Sequence, residues 1–98
     1  MLAGARGVIS VTANVAPRLC SAFQEATLKG DYAAALKIQD RLMPLHIALF
    51  VETNPSPVKY AASLLGFCEP DCRLPMVPCM ESTKTQVRDA MAHAGLLN

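Results

Sequence analysis

Charge is scarce in this chain. Only 17% of its 98 residues are Asp, Glu, Lys or Arg, and nine basic against eight acidic side chains leave a net charge of +1. Such a balance carries no electrostatic footprint for nucleic acid or anionic lipid. Long apolar runs are missing too, and none approaches the ~20 residues of a membrane span. The amino-terminal stretch does not read as an export signal, because Ser10, Thr12 and Asn14 interrupt the apolar run that follows Arg6. Four cysteines without an export signal point to a reducing cytoplasm. Internal repeats and low-complexity segments are absent, and strand patterns are nearly so.

What remains is strongly apolar, 52% hydrophobic by composition. That is a high share for a small independent domain and suits a piece meant to pack against more protein. A compact chain of this length has a radius of gyration of ~13 Å and buries only roughly 60–65% of its unfolded surface. The one convincing strand is Gly7-Val8-Ile9-Ser10-Val11-Thr12, β-branched at four of six positions. Its apolar residues do not alternate cleanly, as in a strand covered on both faces. A lone strand cannot satisfy its own N–H and C=O groups. The chain therefore reads either as the tail of a larger α/β protein or as a small helical module with a strained N-terminus.

Helical patterns fill the rest. Pro17 suits a first turn, with Asn14 as a possible upstream cap, and Leu19, Phe23, Ala26 and Thr27 share one face. Lys29-Gly30 closes that helix, and Asp31 can cap the next. In this longest helix Tyr32, Ala35, Leu36, Leu42, Met43, His46, Leu49 and Phe50 lie on one broad face. Lys37, Asp40 and Arg41 cluster opposite. Pro44 removes one backbone bond and crowds the carbonyl of Asp40, so a kink is expected, with the helix continuing to about Phe50. Ser56-Pro57 opens a third helix with Val58, Ala61, Ala62 and Leu65 buried and Gly66 at its end. Residues 67–79, with Pro70, Pro75 and Pro78, should lack regular structure. A last helix runs from Glu81 or Ser82 to Ala94, with Val87, Ala90, Met91 and Ala94 buried, and Gly95 stops it.

No complete catalytic set follows from these residues. Cys68, Cys72 and Cys79, with His93, make an incomplete zinc set against the usual two close pairs, and free thiols are the plainer reading. His46 reads as a core or interface histidine with one hydrogen bond, ahead of an acid–base pair with Glu52. Lys59 stands in a first helical turn rather than in the apolar pocket an imine-forming lysine needs. Ser10 and Thr12 could be nucleophiles only beside a base, and none is visible.

Taken together, the residues resemble a known family. Gly4-Ala5-Arg6-Gly7-Val8-Ile9-Ser10-Val11-Thr12-Ala13-Asn14-Val15-Ala16-Pro17 is similar to the eighth strand and following turn of the 4-hydroxy-tetrahydrodipicolinate synthase (dihydrodipicolinate synthase) family. Arg41-Leu42-Met43-Pro44-Leu45-His46, Leu49-Phe50-Val51-Glu52 and Asn54-Pro55-Ser56-Pro57-Val58-Lys59-Tyr60-Ala61 resemble its C-terminal helical region. Arg73-Leu74-Pro75-Met76 and Val87-Arg88 through Ala94-Gly95-Leu96-Leu97 resemble its closing segment.

The resemblance implies a mostly α fragment: the last β/α unit of a (β/α)8 TIM barrel plus a C-terminal helical region. Residues 1–30 would be the eighth strand and following helix, and residues 31–98 the helical domain. The family condenses pyruvate with aspartate semialdehyde in the diaminopimelate route to lysine. It works through a lysine–pyruvate imine, usually as a homotetramer, with no metal or other cofactor. Nucleic acid and membrane are not among the implied partners.

The imine lysine, the catalytic tyrosine and the threonine-bearing loop have no matching position here. No catalytic residue is therefore expected in this chain, which alone should be silent. Ile9 is the one pocket position carried over, its backbone carbonyl facing pyruvate, in keeping with active sites at the C-terminal ends of barrel strands. Met80 stands where the family often has Ser or Thr, so the last cap would be weaker or moved to Ser82. Three other readings are a related pyruvate-dependent lyase such as N-acetylneuraminate lyase, a non-enzymatic helical module adding Gly7–Thr12 to a partner's sheet edge, and a small zinc domain.

Overall fold

In the computed structural model, residues 3–97 are described. Met1, Leu2 and Asn98, which belong to the expected segments 1–30 and 31–98, lie outside the described residues. Four helices follow one another: α1 (Pro17–Leu28), α2 (Tyr32–Ala48), α3 (Ser56–Leu64) and α4 (Glu81–Ala94). Pro17 opens α1, and Asp31 caps α2 by accepting the Ala34 N–H at 3.2 Å. Gly95 closes α4 at φ +85°. There the Leu96 and Gly95 N–H groups bond back to Met91 and Ala92, a closure that favours a residue without Cβ.

No strand forms among the described residues, which corrects the expected element at Gly7–Thr12. Residues 5–10 carry no regular structure, and the chain turns earlier than the β-branched run suggested. Val11 is already helical (φ −64°, ψ −42°), and Thr12–Asn14 form a 3-10 turn. The Thr12 carbonyl accepts from both Val15 and Ala16. The side chain of Asn14 donates to the Val11 carbonyl instead of capping α1. Strand propensity is decided by neighbours on either side, and this segment has none here.

The core lies where α2 meets α4, with α3 and the 3-10 turn closing one side. Leu42 and Leu45 of α2 and Leu49 at its C-cap are fully buried, as are Val87 and Met91 of α4. The broad face read from the pattern is narrower than expected. Tyr32, Leu36, Met43 and Phe50 are exposed, while Leu45 is completely covered. Helix α1 packs mainly on α2 and the 3-10 turn and buries no residue fully.

Pro44 neither ends nor interrupts α2. Its missing N–H leaves the Asp40 carbonyl without an intrahelical donor. His93, from the last turn of α4, supplies one: its Nε2 lies 3.0 Å from that oxygen, and since a carbonyl only accepts, Nε2 must carry the proton. Arg41, expected on the solvated face, instead donates to the Ala94 carbonyl at 2.7 Å. The irregular turn of α2 and the end of α4 are thus tied twice. A double-mutant cycle should expose the first tie. His93→Ala is expected to cost about 0.5–1 kcal/mol in the parent and almost nothing in a Pro44→Ala background, where residue 44 again donates to Asp40. Equal losses in both backgrounds, measured by urea unfolding, would disprove the link.

Candidate functional site

Ile9 stands fully in the open at 104% relative exposure, and its neighbour Val8 at 63%. The segment that carries them is anchored at the turn that follows it, where Val11 packs on the core and Val15 and Ala16 are buried in it. Thr12, three residues on, is 2% exposed, and its Oγ1 lies 2.7 Å from His46 Nδ1 on α2. This is the base beside Thr12 that the sequence did not reveal, 34 residues away. Behind the segment lies a cavity of about 160 Å³ lined by Val8, Ser10, Cys20, Phe23, Gln24, Leu42 and His46. Ser10 Oγ accepts the Ala13 N–H at 3.2 Å, which locks the start of the turn. Burial pushes the Cys20 thiol up, with a hydrogen bond to Ser10 working the other way, so it stays protonated at neutral pH.

His46 is half-buried with one hydrogen bond, in keeping with a core or interface histidine, and burial lowers its pKa from the ordinary 6.5. The unfolded chain therefore takes up this proton first as pH falls below about 6.5, so protons favour unfolding. The stability that neutral His46 contributes is whole above that value and is lost as pH drops through the lower folded value. Thermal midpoints measured between pH ~7 and ~5 should fall, and His46→Gln should flatten that slope. An identical slope in both proteins would contradict the assignment.

Glu52 does not meet His46. Its Oε2 accepts the Met80 N–H at 3.0 Å. Met80 is the N-cap of α4 and offers no side-chain cap of its own, so a carboxylate from the α2–α3 loop takes that place against the helix dipole. Of the two expected outcomes, a weaker cap or one moved to Ser82, the N-cap stays at Met80 without a side-chain bond of its own, and Glu52 takes up its N–H. Ser56 likewise caps nothing and donates to the Val77 carbonyl at 2.7 Å, pinning the proline-rich segment to α3.

Cys68, Cys72, Cys79 and His93 are not drawn into one cluster. Among the described residues no three His, Cys, Asp or Glu side chains converge as metal ligands. Cys79 is buried, and its thiol is pushed up by burial, then by Glu52 and Cys72, with Lys84 opposing. Lys59 is half-buried on the rim of an open depression of about 300 Å³, not in an apolar pocket. The wide groove between α2 and α4, about 820 Å³, is lined by residues such as Met43, Ile47 and Gln86 and does not include Ile9. No helix among the described residues is long and apolar enough to cross a membrane.

Comparison with known proteins takes the same direction as these positions. Residues 1–94 match the model of the dihydrodipicolinate synthetase family. The 4-hydroxy-tetrahydrodipicolinate synthase of Parvibaculum lavamentivorans is 67% identical over 95 residues, covering 97% of this chain and 33% of that protein. That of Afipia carboxidovorans is 64% identical over 98 residues, covering 100% and 33%. The crystal structure of dihydrodipicolinate synthase from Thermotoga maritima superposes with a TM-score of 0.93 at 44% identity, covering 98% of this chain and 32% of that one. The chloride-inhibited Acinetobacter baumannii dihydrodipicolinate synthase, complexed with pyruvate, gives a TM-score of 0.91 at 38% identity, covering 98% and 33%. The chain spans about a third of the length of the relatives it matches. Its helices superpose on solved synthases of TIM-barrel fold, and its sequence follows one family's pattern from residue 1 to residue 94, so the chain belongs to the dihydrodipicolinate synthetase family.

Proposed function

We propose that this chain is the closing unit of a 4-hydroxy-tetrahydrodipicolinate synthase, a cytoplasmic homotetrameric lyase that condenses pyruvate with aspartate semialdehyde on the route to lysine. Residues 1–30 serve as the eighth strand and following helix of the barrel, and residues 31–98 as its C-terminal helical domain. The observation that carries this reading is 67% identity along 97% of the chain to a synthase of that name.

Surface physics supports it. The chain exposes 6331 Å², whereas a compact 10.5 kDa monomer exposes roughly 5,400 Å². Its radius of gyration is 14.1 Å, above the ~12.6 Å of a compact chain this long. The excess is apolar in character, with Val8, Ile9, Leu36, Phe50 and Phe67 all exposed. A segment so short of cover is suited to barrel neighbours that would take up the free N–H and C=O groups of residues 5–10 and bury Val8.

In that setting the chain contributes position rather than reactive groups. The Ile9 carbonyl lines the pyruvate pocket, and the imine-forming lysine and proton relay come from the other β/α units. A chimera tests the assignment. This chain replaces the segment it matches in the Parvibaculum lavamentivorans synthase, and condensation is assayed. Activity within about tenfold of that synthase is expected, since 67% of 95 matched residues are identical and cores tolerate substitutions that keep volume and pattern. A folded, inactive chimera would overturn the reading.

A further inference from the structure

The segment around Ile9 meets the helical domain through apolar packing of Val11, Val15 and Ala16 and through few polar contacts. Among the described residues, the Thr12–His46 bond is the one hydrogen bond that joins residues 3–16 to residues 31–97. Its two ends differ in kind. His46 sits half-buried on α2, close in sequence to the fully buried Leu42, Leu45 and Leu49, so its helix is anchored in the core. Thr12 opens the 3-10 turn, and its carbonyl accepts two N–H groups. Ile9 lies three residues before it, with the helical Val11 between them.

We propose that Thr12 and His46 are positioning residues for substrate. Their part-buried hydrogen bond fixes the end of the Ile9 segment against the helical domain and thereby sets where the Ile9 carbonyl meets pyruvate. The inference rests on the function proposed above. Neither side chain touches the reacting atoms, because Thr12 is buried and its hydroxyl is engaged by the ring. The bond acts through geometry: displacement of a binding group by a fraction of an ångström weakens the contact it makes, and 1 Å can cost about 10²-fold. A contact equal in ground and transition state should, when weakened, raise KM and leave kcat in place.

The test uses the chimera and four forms of it. Thr12→Val removes the hydroxyl at constant shape, and is expected to raise KM for pyruvate by about three- to tenfold with kcat within about twofold. Thr12→Ser keeps the hydroxyl and should restore KM. His46→Asn, whose amide can stand near the place of Nδ1, should fall between them, and His46→Leu should match Thr12→Val. An unchanged KM in Thr12→Val, or equal damage in Thr12→Ser, would overturn the proposal. An unsubstituted chimera without activity would instead count against the proposed function. In that case the clamp is read in the 98-residue chain by NMR relaxation. Thr12→Val should lower the backbone order parameter of Ile9 and Ser10, and Thr12→Ser should not. No change on losing the hydroxyl would overturn the clamp by itself.

Discussion

Leu45→Ala is expected to leave the 98-residue chain largely unfolded at 25 °C. Leu45 has no exposed surface and belongs to the buried core cluster. Truncating a leucine in such a place costs about 2–5 kcal/mol, through lost burial and the cavity left behind. Whole domains have only about 5–15 kcal/mol in total. A chain with excess apolar surface has less in reserve, so this single change consumes most of it. Leu36 gives the contrast. It is the same residue type on the same helix, 63% exposed, and Leu36→Ala should shift stability by no more than about 0.5 kcal/mol. Urea unfolding followed by circular dichroism separates the two. Similar midpoints for both variants would mean that the α2–α4 seam is not the core of the fold.

Catalytic silence of the isolated chain is the second large effect. An imine-forming lysine must be desolvated to be neutral and nucleophilic. Lys29 and Lys37 are exposed, and Lys59 and Lys84 are only half-buried. Lys84 is also occupied, 3.3 Å from Glu81 and over the Tyr60 ring. Incubation with pyruvate and borohydride should therefore leave the mass of the chain unchanged, and condensation should be undetectable. The exposed apolar side chains should also make it elute well above 10.5 kDa. A stoichiometric adduct on any of these four lysines would contradict the account.

The sequence was most legible where local rules act alone. Helix bounds followed from Pro17, Asp31, Pro57 and the closing glycines, because caps and breakers work within a few residues. Burial was less legible. Periodicity gave α2 one broad apolar face, yet Leu45 is covered and Leu36 is open, since which part of that face meets α4 depends on how two helices cross. Long-range polar ties were invisible. Glu52 to Met80, His93 to Asp40 and Thr12 to His46 join residues 28, 53 and 34 positions apart, and no local pattern announces such pairs. Pro44 was a partial clue, because the carbonyl it orphans had to find a donor somewhere. The segment at Gly7–Thr12 was legible only in part: residues 7–10 carry no regular structure, but Val11 and Thr12 already turn. Its composition is that of a strand, but a strand exists only with partners, and none lies within the described residues.

The central claim is that this chain supplies the closing part of a working pyruvate-condensing barrel and leaves the imine to the rest. Borohydride trapping of the chimera with pyruvate, read by peptide mass spectrometry, tests it most directly. The account predicts one pyruvate adduct per chain, on a lysine of the Parvibaculum lavamentivorans portion, with Lys29, Lys37, Lys59 and Lys84 unmodified. No adduct in a folded chimera, or an adduct on one of those four lysines, would contradict it.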